Sequence, residues 1–85
     1  NLVSANLADW IELSPDYSIV ETAIPKRWIG KTLKELDVRR TYEVNVVGIR
    51  EEEEGRVEIT PNPEMPLKEG MILMLIGANE ALEKI

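Results

Sequence analysis

The sequence predicts an α+β fold: a small, mostly antiparallel sheet with two or three helices. Three observations carry that expectation. Apolar residues alternate with a period of two in several short runs, other segments carry apolar residues three and four apart, and Pro, Gly, Asn and Asp punctuate the intervals. The resulting order is helix, strand, helix, strand, strand, strand, helix, which suits strands joined by short turns.

In "NLVSANLADWIEL" the spacing of Leu2, Val3, Leu7, Trp10 and Ile11 predicts a connecting helix that runs out near Leu13. Ser14, Pro15 and Asp16 then make a turn, because proline presets its own backbone angle and the flanking side chains bond local amides. "YSIVETAIP" predicts a strand with Val20, Thr22 and Ile24 on one face and Tyr17, Ile19 and Ala23 on the other, ended by Pro25. Thr32 followed by Glu35 matches a capping box, and Ile29, Leu33, Leu36 and Arg40 recur at helical spacing. A helix is therefore expected from about Thr32 to about Arg40, with Leu33 and Leu36 turned inward.

"EVNVVGIR" predicts a second strand, covered on both faces, in which Val44, Val46 and Gly48 alternate with Asn45, Val47 and Ile49. The run Glu51 to Glu54 followed by Gly55 is a turn. "RVEITP" returns as a hairpin partner, with Val57, Ile59 and Pro61 on one face and Arg56, Glu58 and Thr60 on the other. "NPEMPLKEG" is a loop, "MILMLI" a strand covered on both sides, and a last helix starts around Asn79 with Ala78, Leu82 and Ile85 inward.

Composition narrows the function. The chain has 85 residues, one small domain's worth, and a net charge of -6 with only ten basic residues, so no nucleic acid is expected as a partner. Its longest apolar run, "MILMLIG", falls well short of the roughly 20 residues of a membrane-spanning helix, so direct membrane insertion is not expected. There is no Cys and no His, which removes thiol nucleophiles, the commonest general base and the usual zinc ligands. With no nucleophile paired to a base and no phosphate-cradling glycine loop, no enzyme is expected: no catalytic and no metal-binding residue is assigned. Four consecutive acids cannot all face one point on a hairpin, so Glu51 to Glu54 read as a solvated turn. Lys26, Arg27 and Lys31 around Trp28 read as a snorkelling surface, and Met65, Met71 and Met74 as core or interface fillers. The chain reads as a piece of something longer.

"IGKTLKELDVRRTYEVNVVGIR", followed by "ITPNPEMPLKEGMILMLIGANEALEKI", resembles the C-terminal domain of the regulator-of-potassium-conductance family (RCK_C, or TrkA-C). Its landmarks here are Gly30, Lys31, Leu33 and Leu36, then Asn45, Val46 and Val47, then Pro61, Pro66, Leu67, Gly70 and Gly77. The resemblance implies a homodimeric regulatory domain over 16–85, preceded in 1–15 by a connecting segment from a nucleotide-binding domain. That missing N-terminal domain would hold NAD or ATP/ADP. The full subunits would form rings at the inner face of the cell membrane, cytoplasmic and bound to a membrane potassium transporter subunit of Trk or Ktr type. In several Ktr-type members the dimer binds cyclic di-AMP in the cleft between its two copies. Two departures stand out: Met71 where the family often has Asp, and Glu43 where it commonly has glycine. Glu43 would repel a phosphate if it pointed into the same cleft as Asn45.

On that resemblance the candidate ligand-binding residues are Leu33, Val38, Arg39, Asn45, Val46 and Pro61. Arg39 offers a planar fork of donors that suits a phosphodiester, Asn45 can donate and accept, and the other four offer flat apolar surface to an adenine. A plainer reading stands beside this one. Arg39 or, better placed, Arg40 would offset unpaired carbonyls at a helix end, and Asn45 would bond backbone at a strand start. The competing functions are a purely structural dimerisation module and a regulatory domain of another cation transporter or antiporter.

Overall fold

The most apolar stretch of the chain forms the middle of the sheet. Strand β5, Ile72–Ala78, lies between β2, Tyr17–Ala23, and β3, Val44–Arg50. Strands β1, Leu7–Glu12, and β4, Val57–Ile59, take the edges, giving the order β1-β2-β5-β3-β4 with every pairing antiparallel. The computed structural model describes residues 7–85. Three short helices complete it: α1, Leu33–Leu36, α2, Val38–Tyr42, and α3, Asn79–Glu83, with a 3-10 turn at Lys26–Trp28.

Register explains which face is covered. Val20 stands beside Leu75 and Val46, and Thr22 beside Leu73 and Ile49. This face packs against Trp28, Val38, Ala81 and Leu82, and Leu73, Leu75 and Ile49 lose all contact with solvent. On the opposite face Ile11, Ile19, Ile76 and Asn45 form one row. There Arg50 of β3 reaches across β5 to Glu21 of β2 at 3.2 Å.

Several expectations change. The segment predicted as a helix ending near Leu13 is strand β1 over its described part, while residues 1–6 lie outside the described residues. The turn at Ser14–Asp16 folds this segment back, with Leu13 N–H donating to Tyr17 O at 2.8 Å, so that ladder bonds with β2 outweigh helical spacing. The helix expected from Thr32 to Arg40 is two helices. Its Thr32–Glu35 capping box is present, but Asp37 sits in the left-handed region (φ 49°) and interrupts the ladder. Asp37 N–H closes α1 on Leu33 O and its carbonyl opens α2 by accepting from Thr41 N–H at 2.8 Å. Aspartate tolerates that conformation better than most residues, and α2 leaves in a new direction.

Strict alternation in the second predicted strand also fails. The register shifts between Val46 and Gly48, which turns Ile49 onto the covered face and Gly48 onto the other. A Cβ at Gly48 would stand 3.0 Å from Val57 Cγ1, so glycine there lets β4 approach without displacing the Val57 side chain. The hairpin strand is shorter than predicted, and β4 pairs only with Gly48–Arg50. The first half of β3 is consequently a sheet edge, and Asn45 is exposed on it rather than covered.

Candidate ligand-binding cleft

A cleft of about 300 Å³ opens beside that free edge of β3. Leu33 and Val38 contribute from α1 and α2, Val44 and Val46 from β3, and Pro63 from the loop after β4, which gives it an apolar floor. Val38 and Val44 are core residues, so the floor is continuous with the hydrophobic interior and does not depend on a mobile surface group. Lys34, Asp37, Arg39 and Asn45 supply the polar rim.

The helix break builds this geometry. By ending α1 and starting α2 within one residue, Asp37 brings Leu33, near the start of α1, and Arg39, near the start of α2, onto one opening. Glu43, also left-handed (φ 62°), then ends α2 and returns the chain directly into β3, carrying Asn45 to the same place. Left-handed backbone costs a non-glycine residue about 1 to 2 kcal/mol. Glu43 itself does not line this cleft: it lies with Thr41, Tyr42, Ala78 and Glu80 in a neighbouring depression. Its carboxylate therefore does not face the group that Arg39 and Asn45 frame.

Charge pairing separates the cations. Lys34 Nζ is 3.5 Å from Glu64 Oε2, and Arg40 Nε is 3.4 Å from Asp37 Oδ2. Arg39, by contrast, has no ion pair or side-chain hydrogen bond among the described residues, and neither does the side chain of Asn45. The two plainer roles divide accordingly. Arg40 is tied to the helix by Asp37, while Asn45 makes no local backbone bond. What remains is an unused guanidinium and an unused carboxamide on residues that border a cleft with an apolar floor, a set that can bind an anion and the polar edge of a flat apolar group.

Five of the six candidate residues, Leu33, Val38, Arg39, Asn45 and Val46, thus line one cleft. Pro61 is not among its lining residues, and Pro63 occupies the position expected of it. Thr60 adopts a left-handed conformation (φ 55°) just after β4, and Lys34 N–H donates to Pro63 O at 2.9 Å, which draws the second proline against α1. Sequence reasoning missed Lys34, Asp37 and Val44 as well. The adjacency of Lys34 to Leu33 and of Asp37 to Val38 was the available signal. The basic cluster around Trp28 is exposed, and within it Arg27 lies 5.7 Å over the Tyr42 ring and donates to Lys84 O.

Comparison with known proteins agrees with this architecture. The TrkA-C domain family model matches residues 17–85. The Ktr system potassium uptake protein C of Bacillus subtilis (strain 168) is 37% identical over 78 residues, which cover 92% of this chain and 34% of that protein. Protein A of the Ktr system from the same organism is 27% identical over 84 residues, 99% of this chain and 37% of that protein. The chain thus spans about a third of the length of these curated relatives. Among solved structures, the RCK C domain of the potassium transport protein KtrA, in complex with cyclic diadenosine monophosphate, superposes with a TM-score of 0.71 at 32% identity, covering 80% of this chain and 78% of that one. The GsuK RCK domain superposes with a TM-score of 0.67 at 30% identity, covering 85% of this chain and 16% of that one. With its family model matched over most of its length and its strands and helices laid out as in the KtrA domain, this chain belongs to the TrkA-C (RCK_C) domain family.

Proposed function

We propose that this chain is the ligand-sensing and dimerisation domain of a cytoplasmic regulator of a Ktr- or Trk-type potassium uptake system, and that it binds cyclic di-AMP between two copies. It acts without catalysis, by coupling ligand occupancy to the arrangement of the copies, and so to a membrane transporter subunit. The observation that carries the reading is the cleft's composition: an unpaired Arg39 and an unpaired Asn45 over the apolar floor of Leu33, Val38 and Val46.

Size and symmetry support the same ligand. A cleft of about 300 Å³ lies at the small end of ligand pockets, enough for part of a dinucleotide. A two-fold dimer repeats every contact across its axis, and cyclic di-AMP has two phosphates and two bases related in the same way. One Arg39 then meets each phosphate, with one adenine against each floor. Any NAD or ATP/ADP belongs to a different domain of the full regulator. The KtrA relative, solved with cyclic diadenosine monophosphate, makes this the first ligand to test.

Calorimetric titration of the wild-type chain and of Arg39→Ala with cyclic di-AMP is the test. Binding by the wild type and a loss of at least tenfold in Arg39→Ala are expected, since hydrogen bonds between charged groups contribute about 1.5 to 3 kcal/mol each. No heat from the wild type at ligand concentrations far above micromolar would falsify the ligand assignment and leave a structural dimerisation module as the better reading.

A further inference from the structure

We infer that Lys34 is a second ligand-binding cation of this cleft, held in reserve by Glu64 and released when the ligand's anion displaces that carboxylate. This rests on the reading of the cleft as a phosphodiester site, and it adds residues that the sequence did not single out.

Lys34 and Arg39 are the two cationic side chains that line the cleft. Arg39 is unpaired, whereas the Lys34 ammonium faces Glu64 at 3.5 Å. Both partners of that pair are largely in solvent, with side chains 71% and 69% exposed. An exposed pair of this kind is weak, because water screens it and two long side chains must be ordered to form it. A phosphodiester held by Arg39 would compete for Lys34 from inside the cleft, where apolar walls reduce screening. Lysine suits the exchange: its charge sits on a flexible four-carbon stem and needs no fixed bidentate geometry.

Glu64 is held where it can perform this role. Its backbone N–H donates to Asn62 Oδ1 at 2.9 Å, and the preceding carbonyl of Pro63 accepts from Lys34 N–H. The loop is thereby fastened to α1 at the level of the backbone, independently of the ion pair, so release of the ammonium does not require the loop to move. Asp37, the carboxylate that lines the cleft, is matched by Arg40. Glu64 therefore opposes an incoming anion by occupying Lys34.

The test is a double-mutant cycle read by calorimetry with cyclic di-AMP: wild type, Lys34→Ala, Glu64→Gln and the double variant, each at low and at physiological salt. Both side chains are exposed, and all four proteins are expected to unfold at nearly the same temperature. Lys34→Ala should weaken binding about 3- to 10-fold and flatten its salt dependence, and Glu64→Gln should tighten it about 2- to 5-fold. In the Lys34→Ala background, Glu64→Gln should lose most of its effect. Wild-type binding with either single variant unchanged, or with an undiminished Glu64→Gln gain in the double variant, overturns the inference and leaves the cleft assignment standing. Absence of wild-type binding overturns both.

Discussion

At the residue scale, the polar groups that look misplaced in the sequence turn out to have solvent around them. Asn45 reads as a costly amide inside an apolar strand, yet it is exposed because it stands beside Ile76 on the sheet face opposite the core. Arg39 was legible as a donor fork, and its neighbour Arg40 as a helix-bound cation, because their chemistry differs little from what an isolated helix would ask of them. Pro61 lies outside the cleft that Pro63 lines, and nothing in the spacing reveals the left-handed Thr60 or the backbone bond that seats Pro63. Glu43 gives a direct test of backbone strain. Its φ of 62° suits glycine, and its side chain faces away from the ligand cleft. Glu43→Gly is therefore expected to stabilise the domain by about 0.5 to 1 kcal/mol, a rise of roughly 4 °C in Tm by thermal unfolding, with unchanged ligand affinity. A fall in Tm would show that the Glu43 side chain contributes contacts worth more than the strain.

At the scale of elements, short helices depend on their ends. α1 spans only Leu33–Leu36, and its start is fixed by two reciprocal bonds, Glu35 N–H to Thr32 Oγ1 at 3.0 Å and Thr32 N–H to Glu35 Oε1 at 2.9 Å. Thr32→Ala removes the first and should cost about 1 kcal/mol. Because α1 carries Leu33 and Lys34 to the cleft, the same variant should also weaken cyclic di-AMP binding several-fold in calorimetry. Unaltered stability and affinity would mean that the Lys34–Pro63 backbone bond alone holds the helix. The capping box was visible in the sequence because it is a local device, with both partners within four residues. The strand nature of β1 was not, because it comes from pairing with β2, and spacing alone does not distinguish such a segment from a helix. The shift at Val47 was hidden for the same reason: it is a property of two strands together.

At the scale of the molecule, the core lies between one covered sheet face and Trp28, Val38, Leu67, Ala81 and Leu82, and Leu75 has no exposed surface. Leu75→Ala should cost about 2 to 5 kcal/mol, a large share of the stability available to a domain of this size, and should be measured by urea unfolding. A cost below about 1 kcal/mol would mean that the core collapses around the gap and is less tightly packed than described. The order of elements and the α+β class were legible because alternation and turn chemistry repeat along the whole chain. The central claim is that two chains share one symmetric ligand, with Arg39 from each on its phosphates. The calorimetric stoichiometry of cyclic di-AMP binding tests it most directly: saturation at one ligand for every two chains is the predicted result, and saturation at one ligand for each chain would contradict it.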